Sequence, residues 1–250
     1  MSDRSKRFHD LHHGDRLLLL PNIWDVAGAR LLEELGYPAV ATASAAVSRS
    51  LGYEDGEKVP FDQVCFLLTR IAASVSVPVT ADIEAGYARD EAGLLENILR
   101  LTDTGIVGIN FEDTDPVSGQ LVPISIQAAR IAVIRKAAPA LYINARTDTF
   151  FRMDTGQLEE ALLRARAYLE AGASGIYPIG AKEPADIRAL VTGIAAPVNI
   201  MGRPELTFLA QLQSFGVARV SMGPQFQQYA LNAIREKAAG WHRFFGPGGV

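Results

Sequence analysis

A single cysteine in 250 residues, Cys65, leaves no partner for an intramolecular disulfide and no thiolate-rich metal centre, and it suits a reducing, cytoplasmic setting. Basic residues are not in excess. With 24 Lys and Arg against 28 Asp and Glu, the formal net charge is −4, which speaks against nucleic acid as a partner because no surplus of cations is there to neutralise phosphates. No apolar run approaches the roughly 18 residues of a membrane helix, so no membrane association is expected. Residues 1–8 are charged and lack the apolar core of a signal peptide. No low-complexity tract or Pro/Gly/Ser linker divides the chain, and residues 1–250 read as one domain. Histidines are few: His9, His12 and His13 precede the first apolar run and His242 lies near the tail, so an imidazole metal site is not expected.

What the chain does have is alternation. Eight short apolar runs, at residues 17–20, 39–43, 78–82, 106–111, 141–145, 175–179, 198–201 and 218–222, read as strands. Helical spacing fills the intervals at 27–35, 61–75, 91–101, 125–137, 156–171, 184–191, 205–215 and 224–241, after a leading helix at 4–12. Eight βα units on this length predict a closed (β/α)8 barrel of the TIM type. At the carboxyl ends of the runs stand Asn22 and Asp25, Ser44, Asp82 and Glu84, Glu112 and Asp113, Arg146 and Asp148, Tyr177, Asn199 and Ser221. In such barrels that rim carries the chemistry. Residues 47–59 and 113–123 are longer than a barrel turn requires and read as lid or specificity loops.

Residues two apart on a strand share a face. Asp82 with Glu84, Asn110 with Glu112, and Asn144 with Arg146 and Asp148 therefore form three polar rows on neighbouring strands. Like carboxylates crowded together resist joint ionisation, so positive charge has to offset them. Oxygen ligands without His or Cys suit Mg²⁺, or Mn²⁺, which takes one or two carboxylates directly and keeps waters. Arg146 adds a planar fork suited to a carboxylate. The alternative is a structural salt-bridge network in the barrel mouth. The small residues of 41–46 let a ligand approach the amides around Ala43 and Ser44, or simply serve packing. Trp24, at the mouth of the first strand, either walls the pocket or packs.

The order Asp82-Ile-Glu-Ala-Gly-Tyr87, Glu112-Asp113 and Asn144-Ala-Arg-Thr-Asp148 resembles the isocitrate lyase and phosphoenolpyruvate mutase superfamily. Its metal motif is Asp-x-Asp-x-Gly-Tyr, and the likeness runs from Pro21 to Pro224. It implies that Asp82 reaches Mg²⁺ directly while Glu84 and Glu112 hold it through waters. It also implies that Arg146 grips the substrate, that the Ala43 and Ser44 amides cradle a carboxylate, and that Asp55 rides a mobile loop closing over the site. The family barrel exchanges its last helix between subunits of a homodimer or homotetramer, a role that falls here to residues 224–245. Two features depart from the pattern. The lyase Lys-Lys/Arg-Cys-Gly-His segment after Glu-Asp is replaced by residues 114–122, Thr-Asp-Pro-Val-Ser-Gly-Gln-Leu-Val, and the lysine and asparagine of the phosphonate enzymes are missing from that loop.

A metal and an arginine that hold a 2-oxo acid make its ketone an electron sink. The expected function is a Mg²⁺-dependent carbon–carbon lyase or decarboxylase on small 2-oxo or 2-hydroxy carboxylates, like oxaloacetate or methylisocitrate. Asp55, Tyr53 and Tyr177 are the candidates for proton transfer, and Asn199, Tyr177 and Trp24 for substrate contact. The alternatives are C–P chemistry on phosphonopyruvate and a non-catalytic barrel that binds 2-oxo acids.

Overall fold

A computed structural model of the chain describes residues 2–203 and 205–245. Helix α1 (Asp3–Leu11) precedes β1 (Leu18–Leu20), β2 (Asn22–Ile23), α2 (Val26–Glu34), β3 (Val40–Thr42), α3 (Ser44–Leu51), α4 (Phe61–Ser74) and β4 (Val79–Asp82). Next come α5 (Glu91–Asp103), β5 (Gly108–Glu112), α6 (Ile124–Ala137), β6 (Tyr142–Thr147), α7 (Thr149–Arg152) and α8 (Gln157–Glu170). The chain finishes with β7 (Gly175–Pro178), α9 (Pro184–Gly193), β8 (Asn199–Met201), α10 (Leu206–Ser214), β9 (Arg219–Ser221) and α11 (Gln225–Phe245).

Every ladder is parallel, in the orders β2-β3-β4-β5-β6-β7 and β1-β9-β8. Two joints turn these into one closed barrel of eight staves. A bridge between Ile176 and Val198 links β7 to β8, and β1 with β2 forms a single first stave interrupted at Pro21. Proline has no N–H to give a ladder, so the stave pairs with β9 before the break (Leu18 opposite Arg219) and with β3 after it (Asn22 opposite Ala41). The Asn22 side chain stitches the break: Nδ2 donates to Thr42 O at 2.7 Å, and Oδ1 accepts from Met222 N at 2.8 Å and Gly223 N at 2.9 Å.

Strand alternation sorts the core. Ile109, Phe111, Ile143 and Ala145 are buried outward against the helices. At the amino end of the barrel, Phe8 of α1 plugs the interior beside Leu18, Leu20, Ala39, Ala41, Val107 and Tyr142. Glycines on the staves flanking Tyr142 make the room: a Cβ at Gly108 would stand 2.7 Å from the Phe8 ring, and one at Gly175 would stand 2.6 Å from the Tyr142 hydroxyl. His12 stacks on Tyr142 with ring centroids 3.9 Å apart, and burial pushes its pKa well below the usual imidazole range.

The expected strands and helices recur with three differences. The stretch 47–59 is not all loop, because α3 runs to Leu51 and stops at Gly52, whose φ of 81° suits a helix C-cap. Its Ala- and Ser-rich start is a helix N-terminus rather than only an amide-lined turn. The single-turn α7 carries no apolar period, and β5 and β6 extend past their apolar runs because Glu112 and Arg146 pair across the ladder. Helix α11 packs back through Phe226 and Gln227, whose Oε1 accepts from Arg49 Nη1 at 2.9 Å. Beyond them Leu231, Ile234 and Trp241 are exposed, the last two by 63% and 66%. Among the described residues, no helix is long and apolar enough to cross a membrane.

Candidate active site

The carboxyl ends of the staves surround a cavity of about 200 Å³. Six residues expected at the site line it: Ala43, Ser44, Asp55, Asp82, Arg146 and Tyr177. Asn22, Asn110, Phe151, Ile179, Met201, Ser221 and Pro224 also line it. Wider hollows of about 630 and 620 Å³ lie along α1 and at the amino end of the barrel, away from this rim.

Asp82 ends β4. Its Oδ2 accepts from Ser44 N at 3.2 Å and Ser44 Oγ at 2.9 Å, while its Oδ1 is buried with no hydrogen-bond partner. A buried carboxylate oxygen without a donor is costly, so this atom suits a cation or a donor. The Ser44 amide expected to cradle substrate is thus engaged by Asp82. Ser44 and Ala45 open α3 at the cavity, so an anion there would meet the positive end of that helix.

Glu84 has a different setting from the one expected. Its Oε2 accepts from Gly56 N at 2.7 Å and Glu57 N at 2.8 Å, and its Oε1 accepts from Tyr87 Oη at 2.8 Å. The Glu57 carboxylate in turn accepts from Tyr87 N at 2.6 Å. Glu57, Glu84 and Tyr87, with φ of 60°, 52° and 56°, are the non-glycine residues with left-handed backbone among those described. Each such residue costs about 1–2 kcal/mol, and all three belong to one circuit. It fastens the loop bearing Asp55 to the end of β4.

Arg146 is held by two carboxylates. Its Nε and Nη2 donate to Asp148 Oδ1 and Oδ2 at 2.6 and 2.9 Å, and its Nη1 stands 2.7 Å from Glu112 Oε2. Guanidinium carries five N–H donors, so two remain for a ligand. Asp148 is itself fixed by Thr114 Oγ1 at 2.8 Å and, through its backbone N–H, by Asp113 Oδ1 at 2.9 Å. Asp113 Oδ2 accepts from Arg164 Nη1 at 3.0 Å and Tyr168 Oη at 2.8 Å. Asp113, the second member of the Glu-Asp pair, is therefore a support for the arginine clamp and lies outside the cavity.

The electrostatics point the same way. Burial, then Asp55 and Asp82, push Glu84 up to about 7. Burial also drives Glu112 well above the usual carboxylate range, with Asp148, Asp82 and Glu84 adding to the rise and Arg146 opposing it. Partial desolvation and Asp82 raise Asp55. Burial alone would lower Arg146, but Glu112 and Asp148 overcome it and the net shift is upward. Negative charge exceeds positive charge here.

A divalent ion fits that imbalance, though not as a three-carboxylate cage. Among the described residues, no three His, Cys, Asp or Glu side chains form a direct ligand set. Glu84 has donors on both oxygens and Glu112 gives one oxygen to Arg146, whereas Asp82 Oδ1 is a buried carboxylate oxygen with no partner. That donor set suits Mg²⁺, which needs only one or two carboxylates and keeps waters.

Five expected residues are not in the cavity lining: Glu84 and Glu112, turned to the loop amides and to Arg146, and Asn199, Tyr53 and Trp24. Asn199 is buried beneath the cavity, its Nδ2 donating to Ser221 Oγ at 3.0 Å, because the stave turns that side chain into the barrel below the rim. Tyr53 packs on the core with its hydroxyl accepting from Gln63 Nε2 at 3.2 Å. Trp24 is half-buried outside the lining. Asn22 and Ser221, read at strand ends, and Asn110, read on the strand face of Glu112, line the cavity without having been given a specific role; Phe151, Met201 and Pro224 carried no comparable signal.

Fold and rim together define a barrel of the class that acts on small anions at the strands' carboxyl ends. The chain belongs to the phosphoenolpyruvate phosphomutase family, whose model matches residues 8–242, within the PEP mutase/isocitrate lyase superfamily. An uncharacterized protein of Mycobacterium tuberculosis is 34% identical over 216 residues, covering 86% of this chain and 81% of that one. The 2-methylisocitrate lyase of Bacillus subtilis is 26% identical over 96% of this chain and 80% of its own length. Oxaloacetate decarboxylase 2 of Pseudomonas fluorescens is 25% identical over 94% and 83%. A solved structure from Burkholderia cenocepacia, assigned provisionally as a phosphonomutase, superposes with a TM-score of 0.92 at 38% identity, covering 95% of this chain and 100% of that one. A phosphonopyruvate hydrolase in complex with oxalate and Mg²⁺ shares the fold, with a TM-score of 0.86 at 24% identity over 97% and 88%.

Proposed function

We propose that this protein is a Mg²⁺-dependent carbon–carbon bond lyase or decarboxylase acting on small 2-oxo or 2-hydroxy carboxylates of the oxaloacetate or methylisocitrate kind. The observation that carries the reading is the unpartnered, buried Asp82 Oδ1 at a cavity whose other charged wall is Arg146. Relatives named as 2-methylisocitrate lyase and oxaloacetate decarboxylase support it, as does the phosphonopyruvate hydrolase that binds Mg²⁺ and oxalate. Asp82 would hold the ion, with Glu84 and Glu112 contributing charge around its waters; Mn²⁺ would serve in its place. The ion supplies Lewis-acid polarisation of a 2-oxo group. Arg146 grips a carboxylate with its two remaining N–H groups, and the start of α3 faces the same anion. Asp55, raised and at the cavity, is the group we assign to take or return a proton at the substrate's C2 hydroxyl or C3. Tyr177 walls the site as a neutral phenol, since burial pushes its pKa up.

The exposed stripe of α11 bears on assembly. Leu231, Ile234 and Trp241 form an exposed apolar stripe, and a second copy of this chain is the occupant we assign to it, by helix exchange in a homodimer or homotetramer. A cytoplasmic enzyme with no nucleic-acid or membrane partner completes the reading.

The test is direct. Protein and MgCl₂ are mixed with oxaloacetate, 2-methylisocitrate and phosphonopyruvate, and pyruvate and phosphate are followed against an Asp82→Ala control. Pyruvate without phosphate is expected from at least one of the first two. Phosphate release from phosphonopyruvate alone would replace this reading with C–P chemistry. Mg²⁺-dependent binding without any product would leave a 2-oxo acid binding barrel.

A further inference from the structure

Arg219 heads the fully buried side chains by size, at 0% exposure, yet among the described residues no carboxylate pairs with it. It starts on the eighth stave and crosses the barrel axis to the fourth, where its Nη2 donates to Asn110 Oδ1 at 3.2 Å. Its Nε donates to Ser221 Oγ at 3.2 Å, and its Nη1 is buried without a partner. Neither acceptor depends on it. Asn110 Oδ1 also accepts from Asn144 Nδ2 at 2.8 Å, and Ser221 Oγ from Asn199 Nδ2 at 3.0 Å. Deleting the guanidinium would orphan no acceptor.

A buried unpaired cation is destabilising, and an apolar residue of similar volume in its place is often neutral or stabilising. The fold therefore gains nothing obvious from Arg219. The groups acting on it are Tyr142, Tyr177 and Asp82, together with His12, which burial keeps neutral. Burial pushes the guanidinium down to about 10, so it stays charged at neutral pH. Both of its acceptors, Asn110 and Ser221, line the cavity, so the charge stands one side chain below the floor.

We propose that Arg219 is a positioning residue of this site: a fixed positive charge under the floor that holds the anionic substrate through space, without touching it. The proposal rests on the anion-binding reading above and adds a residue to it. In an interior of intermediate dielectric, one charge about 10 Å away changes affinity by on the order of tenfold per ligand charge.

The experiment is calorimetric titration of the full chain in MgCl₂ with oxalate, a dianion, and oxamate, a monoanion of nearly the same shape. Wild type is compared with Arg219→Met, Arg219→Gln and Arg219→Lys, with the melting temperature of each. Met and Gln are expected to melt no lower than wild type, to lose about 100-fold in oxalate affinity and to lose only about tenfold for oxamate. Lys should stay within about threefold for both. Equal losses for the two ligands, unchanged affinities, or a large fall in melting temperature in both neutral variants would overturn the proposal. If wild type binds oxalate no better with Mg²⁺ than without, the metal site itself fails and this inference goes with it; intact wild-type binding with unaffected variants removes the inference alone.

Discussion

Shortening Glu84 to aspartate tests the loop circuit most sharply. The substitution withdraws the carboxylate by one methylene, about 1.5 Å, and contacts of 2.7, 2.8 and 2.8 Å to Gly56 N, Glu57 N and Tyr87 Oη open to about 4 Å, beyond hydrogen-bond range. A hydrogen bond to a charged group is worth about 1.5–3 kcal/mol. The freed loop amides regain water, so about 1 kcal/mol each, or about 2 kcal/mol for the pair, is the fair figure. That favours the open loop by about 30-fold, and release of the left-handed Glu57 pushes the same way. Hydrogen exchange on the protein without Mg²⁺, followed in a peptide spanning 52–60, should quicken by about that factor at Gly56 and Glu57. Glu84→Gln keeps the length and an oxygen for both amides, and its exchange should stay within about threefold of wild type. Exchange in Glu84→Asp as slow as in wild type would refute the circuit as what holds this loop.

Arg146→Lys cannot span Asp148 in two bonds and Glu112 in a third, so kcat/KM on the best substrate should fall by about 10²–10³, and a loss under tenfold would count against the clamp. Because the folded pKa of Glu84, about 7, lies above its ordinary value near 4.5, ionising it costs stability as pH rises through that window, by about 3 kcal/mol in full. Bound Mg²⁺ would offset this charge, so the rise in melting temperature it produces should be larger at pH 8 than at pH 6; an equal or smaller rise at pH 8 would contradict the place proposed for the cation among these carboxylates. Ile234→Glu combined with Trp241→Glu removes about 1.5–3 kcal/mol of burial per side chain if a second copy covers α11, and sedimentation is then expected to show dimers or larger for the wild type and monomers for the variant; a monomeric wild type would contradict the proposed assembly.

How much of this was legible in the sequence depended on whether a residue's role followed from its own strand. Alternation put Asn110 with Glu112 and Asn144 with Arg146 on one face, and the ladder does set Glu112 opposite Arg146. Strand ends likewise marked Ser44, Asp82 and Tyr177, which meet at one cavity. The same rule cannot tell the rim from the level beneath it. Asn199 also points inward, but it lies one level down and is bonded to Ser221. Partner choice across the barrel is equally silent in a linear pattern. Glu84 bonds loop amides from 27 and 28 residues away, and Arg219 reaches Asn110 109 residues away. Pro21 was visible as a residue, but its consequence, a first stave that pairs with different neighbours on either side, depends on closure of the whole barrel.

At the mouth of this barrel the unpartnered carboxylate oxygen Asp82 Oδ1 is proposed to receive a divalent ion. Anomalous diffraction from a crystal soaked in Mn²⁺ and oxalate measures that position most directly. A single peak is expected at about 2.1–2.2 Å from Asp82 Oδ1, with oxalate between it and Arg146 and with Glu84 still on the loop amides. A peak bound elsewhere, or none at saturating Mn²⁺, would contradict the proposal.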